Sequence, residues 1–262
     1  MKRSTFALIF PLVLTISCAS PPQQQAVVAH VTATLRVVTA TPIPAEIPTA
    51  APTETPTSLT ERATISVPQG KPLAIDGTMS PGEWGSAAIE TFSDGSELFL
   101  MYSEGYLYLG IRAKTPEMIV GNVFVEHGDE ITILHSSAAL GTARYQKGMG
   151  SWQQTQGFVW RCRNTDNSET AQLERDAFLQ EEHWVAANAR MGSPNELEFQ
   201  IEVTNETLRL AVNFLTASNP NVKIPWPNDL NDDCIKPTPG GMPAQLHFSP
   251  DTWATIGIPS DR

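Results

Sequence analysis

The sequence predicts an all-β protein, an antiparallel β-sandwich of the immunoglobulin-like or jelly-roll-like kind, preceded by a disordered N-terminal part. Three observations carry that expectation. Past Arg62, apolar and polar residues alternate with a period of two in many short runs, the pattern of strands with one face in a core. Turn-forming residues break those runs at near-regular intervals. Before Arg62, the segment from Ala19 to Thr60 has no Phe, Tyr, Trp or Gly and is rich in Pro, Thr and Ala, so it cannot bury a core.

Taken in chain order, Lys2 and Arg3 precede an apolar run from Phe6 to Ile16. This is the charged start and short hydrophobic stretch of an export signal over residues 1–17, too short to span a bilayer. The following Leu14-Thr15-Ile16-Ser17-Cys18 resembles a bacterial lipoprotein lipobox, with Thr15 standing where Leu is usual. That resemblance implies a lipid on Cys18 and a place on the extracytoplasmic side of a bacterial cell envelope, with the lipid as the contact to the membrane. Plain secretion after cleavage is the alternative. Residues 18–62 then carry Pro21, Pro22, Pro42, Pro44, Pro48, Pro52 and Pro56. Repeated proline fixes φ and removes donors, which makes a semi-rigid, partly polyproline II spacer. The spacer holds a domain, residues 63–262, away from the membrane.

Within that domain the clearest strand is Glu196–Val203, where Leu197, Phe199, Ile201 and Val203 alternate with polar residues, giving one core face and one wet face. Leu208–Phe214 repeats the pattern. Further strands are expected at Leu98–Ser103, Tyr106–Ala113, Asn122–Glu126, Glu130–His135, Thr142–Gln146, Gly157–Cys162, Trp184–Arg190, Ala244–Phe248 and Trp253–Ile258. Glu104-Gly105 between two of them is a tight hairpin signal. A helix is expected only at Thr170–Glu182, with Leu173, Ala177 and Phe178 on its apolar side.

Charge narrows the partners. Up to Arg62 there are four Lys/Arg against three Asp/Glu; beyond it there are 13 against 25, so the domain carries a formal charge of −12. Such a body repels phosphate backbones, and no basic cluster relieves it, so nucleic acid is not an expected partner. With Cys18 assigned to lipid, Cys162 and Cys234 form an even pair in an exported chain, which predicts one disulfide. It would close a loop of about 70 residues and stabilise by about 4 kcal/mol in the chain-entropy model. Two unrelated buried thiols or a metal pair are the alternatives.

Ala74-Ile75-Asp76-Gly77-Thr78, then Pro81-Gly82-Glu83-Trp84 and Ala87, resemble the opening of carbohydrate-binding module family 9 and its DOMON-like relatives. Later segments match in order: Leu107–Arg112, Gly128–Ile133, Trp184–Ala187 followed by Glu196–Val203, and Pro250–Ile256. Glu202 and Val203 replace the usual Pro-led ending of the fourth. The resemblance covers Ala63 to Ile258. It implies the sandwich fold and a non-catalytic domain that binds poly- or oligosaccharide. A haem-binding or redox domain of DOMON type is the alternative, with Met101 or His247 as axial ligands, as is a structural adhesion domain of the envelope.

Candidate site residues follow from side-chain chemistry. Trp84 and Trp253 read as core, and Asp76-Gly77 as a turn in which Asp caps its own backbone and Gly takes positive φ. Trp152 and Trp226 lie in polar, loop-like surroundings, and flat aromatics stack on the C–H faces of sugar rings while Asn and Asp bind the hydroxyls. Trp226 and Trp152, with Asn228 and Asp229, are therefore the expected sugar site. The run from Asn228 to Asp233 offers several oxygens in a short span, and Asp229, Asp232 and Asp233 are candidate ligands for a structural calcium ion, which members of the resembled family can carry. Trp160 follows the alternation of its strand and reads as packing. No nucleophile elbow, P-loop or dinucleotide fingerprint occurs, so no catalytic residue is assigned.

Overall fold

The computed structural model describes residues 64–162, 168–188, 193–236 and 242–259. The export signal, Cys18 and the proline-rich segment lie outside the described residues. The described chain runs through β1 (Ile65–Ser66), β2 (Ala88–Thr91), β3 (Glu97–Ser103), β4 (Tyr106–Arg112), β5 (Ile119–His127), β6 (Glu130–Ser136), β7 (Ala139–Lys147) and β8 (Trp152–Cys162). There follow α1 (Glu169–Glu182), β9 (Trp184–Ala187), β10 (Glu196–Glu202), β11 (Thr207–Thr216), β12 (Asn219–Trp226), β13 (Gln245–Leu246), a 3₁₀ turn at Pro250–Thr252 and β14 (Ala254–Gly257). The fold is all-β, as the alternation predicts.

Two sheets form the sandwich. The larger has the order β1-β14-β11-β5-β6-β7-β8-β13, with β12 added to β11 beyond the end of β14; the smaller is β2-β3-β4-β10-β9. All pairs are antiparallel except β1 with β14. The core between them joins Leu98, Leu100, Leu109, Phe199 and Ile201 of the small sheet to Val123, Val125, Leu210, Val212 and Phe214 of the large one. A Cβ on Gly121 of β5 would stand 2.5 Å from Leu197 of β10, so the absence of a side chain there lets the sheets approach.

The β3–β4 hairpin turns on Glu104 (φ 50°) and Gly105 (φ 86°), the two positive φ values that a type I′ turn requires. Ser168 caps α1 by accepting the Ala171 N–H at 3.2 Å. Phe178 packs edge-on against Trp184 with centroids 5.3 Å apart. The expected apolar side of α1 is corrected at Leu173, which is 62% exposed.

Each sheet is also covered on its outer face. Residues 67–87 wrap the small sheet, and here the wet face expected of Glu196–Val203 is corrected. Glu198 is buried: its Oε2 accepts the Gly77 N–H at 2.8 Å and the Asp76 N–H at 3.2 Å, and its Oε1 accepts the Trp84 indole N–H at 3.2 Å. Glu196 accepts the Met79 N–H at 2.9 Å and the Arg112 guanidinium at 2.8 Å. The Asp76-Gly77 turn forms as expected, with Asp76 Oδ1 accepting the Thr78 N–H at 2.8 Å and Gly77 at φ 86°. The outer face of the large sheet is covered in part by the segment after β12, through Leu230, Cys234, Leu246, Phe248 and Trp253.

Candidate functional site on the outer face of the large sheet

One row of residues crosses that face from beneath the covering segment to its open end. Asn213 pairs with Asn122, Asn122 with His135, His135 with Gly141, and Gly141 with Trp160, on β11, β5, β6, β7 and β8 in turn. Because facing residues of adjacent strands share a face, these side chains form a single rung about 5 Å per step. The Asn213 amide donates to the Cys234 carbonyl at 2.7 Å, the Asn122 amide donates to Asn213 Oδ1 at 2.8 Å, and His135 Nδ1 meets Asn122 Oδ1 at 2.8 Å. Since Asn122 Oδ1 can only accept, His135 donates from Nδ1. Lys223 reaches the same Cys234 carbonyl at 3.4 Å and donates to the Lys236 carbonyl at 2.7 Å; burial lowers its pKa.

At the other end of the rung the surface turns aromatic. Trp160 stacks on Phe158 with centroids 4.7 Å apart and meets His135 edge-on at 5.1 Å. A Cβ on Gly141 would stand 2.7 Å from Trp160 Cζ3 and 3.0 Å from Phe158 Cδ1. Glycine there opens the space over which both rings pack, while Trp160 stays 53% exposed. The other five tryptophans, Trp84, Trp152, Trp184, Trp226 and Trp253, are buried. An exposed indole face beside a hydrogen-bonding imidazole is what an aromatic platform for a ring with alternating C–H and hydroxyl groups requires.

Trp226 and Trp152, expected as exposed platforms, are both buried. Trp226 is 4% exposed, pairs with Val212 at the end of β12 and points into the core between the sheets. Its loop-like surroundings are an edge strand, where the missing donors of Pro220 and Pro225 are tolerated. Trp152 is 5% exposed, its indole N–H donating to the Phe248 carbonyl at 3.1 Å. It forms part of the wall of a groove of about 370 Å³ with Glu126, Lys147, Arg209 and Asp251, in which Arg209 already pairs with Asp251 at 3.0 Å and Glu126 at 3.5 Å. Asn228 donates to the Thr91 carbonyl at 3.1 Å, tying its loop to β2, and Asp229 is exposed beside it.

The carboxylates of the acidic run hold the covering segment in place. Asp232 Oδ1 accepts the Cys234 N–H at 2.8 Å, and its Oδ2 accepts the Ser249 N–H at 3.0 Å and the Trp253 indole at 2.8 Å. Asp233 accepts the His247 N–H at 2.6 Å and pairs with Lys236 at 2.7 Å. Through these bonds Asp232 and Asp233, the expected calcium ligands, act as latches between protein segments. Trp253 is core, as expected, and owes its hydrogen bond to Asp232.

Cys234 is a free, buried thiol, and burial raises its pKa well above the ordinary value. The backbone of Cys162 lies in β8 opposite Ala139, four strands from the Asn213 that Cys234 caps, or about 19 Å of sheet at normal spacing. Cysteines bridge only when their Cα atoms are within about 7 Å, so the expected disulfide is corrected to an unpaired Cys234. Met101 and His247 do not face a common centre either. Met101 Sδ, bonded by the Ser86 hydroxyl at 3.2 Å, lies under the segment covering the small sheet, and His247 lies on the segment covering the large one. Two sheets about 10 Å apart separate the two sides.

No protein-family model matches the chain, and no significant match is found among curated proteins or among solved structures.

Proposed function

We propose that the protein is a non-catalytic carbohydrate-binding module of the bacterial cell envelope, tethered through Cys18, that captures poly- or oligosaccharide by stacking on Trp160. The observation that carries this reading is the solvent-facing Trp160 over Gly141, against five tryptophans that are core. The rung from Asn213 to His135 supports it by fixing the imidazole beside the indole, so that stacking and hydrogen bonding are offered together. The resemblance of the Asp76-Gly77 to Trp84 segment to carbohydrate-binding module family 9 points the same way.

A glycan array probed with the full chain tests the reading. A cluster of hits sharing one terminal or repeating sugar is the expected result, and a blank array from a sample with folded-state circular dichroism would overturn it.

A further inference from the structure

The inward side of the large sheet breaks its own pattern at one end. His127 of β5, Glu130 and Thr132 of β6, and Thr142 and Arg144 of β7 occupy positions that face the small sheet, in line with the core residues Val125 and Leu134. Polar side chains at core-facing positions of interior strands are costly unless they are hydrogen-bonded or paired, and such departures from pattern are expected mainly at functional sites. Here His127, Glu130, Thr132 and Arg144 border an open cavity of about 160 Å³ between the two sheets, with Val125, Leu134, Trp184 and Ile201 as its apolar walls and Glu182 and Glu202 on the facing rim.

The charges in this cavity do not balance. Glu130 pairs with Arg144 at 3.1 Å and Glu202 with His183 at 2.7 Å. Glu182 has no cationic partner among the described residues. Its Oε2 accepts the Thr142 hydroxyl at 3.1 Å, and that hydroxyl accepts the Trp184 indole N–H at 3.0 Å. Because the indole can only donate, the Thr142 proton is directed to Glu182, which orients the carboxylate as an acceptor. Glu182 is also the last residue of α1, whose final turn carries no basic residue, so the negative end of the helix dipole adds to the same field. Burial lowers the pKa of His127, which disfavours its charged form.

We propose that this inter-sheet cavity binds a small organic ammonium ion, with the cation on Glu182 and the hydrocarbon part against Trp184, Val125, Leu134 and Ile201. The volume is close to that of a cavity of about 150 Å³ that holds a benzene ring, which sets the ligand at roughly six to eight heavy atoms. The site is separate from Trp160, which lies on the opposite side of the large sheet.

The probe is benzylamine, titrated calorimetrically into the full chain at pH 7, with benzyl alcohol and benzoate as matched neutral and anionic controls. Saturable binding of benzylamine at one per chain, at least tenfold tighter than benzyl alcohol and lost at least tenfold in Glu182→Gln, is expected. In an NMR titration of the unsubstituted protein, the Trp184 indole N–H should shift and the Trp160 indole N–H should not. Absence of binding, equal affinity for the alcohol, retained affinity in Glu182→Gln, or a shift at Trp160 in place of Trp184 would overturn the proposal. Trp160→Ala should leave benzylamine affinity unchanged, so failure of the sugar reading and failure of this one are distinguishable.

Discussion

Trp160 packs directly over Gly141: a methyl group on that glycine would stand 2.7 Å from Cζ3 of the indole. The exposed ring therefore depends on the residue across from it in β7, and Gly141→Ala must displace the ring or the strand. Overpacking of this kind costs about 1–3 kcal/mol. Urea denaturation should show that loss, and the fluorescence of the variant should report a changed environment for Trp160.

Glu198 gives the fold a pH dependence of definite sign. Burial pushes its carboxyl up to about 8, against the opposing pull of the Gly77 N–H and the Trp84 indole. In the unfolded chain the ordinary value is near 4.3. Between those two values the native state holds a proton that the unfolded state has lost. Stability therefore falls as pH rises through the window, by up to about 1.4 kcal/mol per pH unit, and levels off above about pH 8. Chemical denaturation from pH 5 to 9 should show this slope in the native sequence and a flatter profile in Glu198→Gln.

Asp232 is the single side chain that holds three donors of the covering segment, from Cys234, Ser249 and Trp253. Asp232→Ala strands buried N–H groups, at about 1–3 kcal/mol for each one left unpaired. A drop of at least about 3 kcal/mol in unfolding free energy is expected. Since the carboxylate oxygens are engaged by protein donors, adding EDTA to the unsubstituted protein should leave its melting temperature unchanged.

Cys234 should behave as a buried thiol. Iodoacetamide should leave it unmodified in the native protein and alkylate it in 6 M guanidinium without prior reduction, which peptide mass spectrometry reads directly. Dithiothreitol should not shift the melting temperature.

The sandwich was legible because alternation is local: β10, β11, β4 and β6 each declare one buried face in their own residues, and Glu104-Gly105 declares its turn. The sequence pattern misled where burial comes from distant chain. Glu198 reads as solvent-facing in its strand and is buried because residues 74–84 fold over it. Trp226 reads as a loop residue because Pro225 and Pro227 flank it, although β12 is an edge strand that accommodates Pro225 and ends at Trp226. β1 and β2 are too short to show a period. Of the site, Trp160 reads as packing in the sequence because it obeys the alternation of β8; what sets it apart is Gly141, some twenty residues away in sequence and adjacent only once the register of β7 and β8 is known. The acidic run from Asn228 to Asp233 offered metal-like chemistry, and only the folded chain shows that Asp232 and Asp233 are engaged by backbone N–H groups, an indole and a lysine.

The most direct measurement of the central claim compares the unsubstituted chain with Trp160→Ala on whichever glycan the array identifies, by isothermal titration calorimetry, with Trp152→Phe as a control at a buried indole. The stacking account predicts loss of at least tenfold in affinity for Trp160→Ala with an unchanged melting temperature, and no loss for a Trp152→Phe protein that remains folded. Full affinity retained by Trp160→Ala would contradict it.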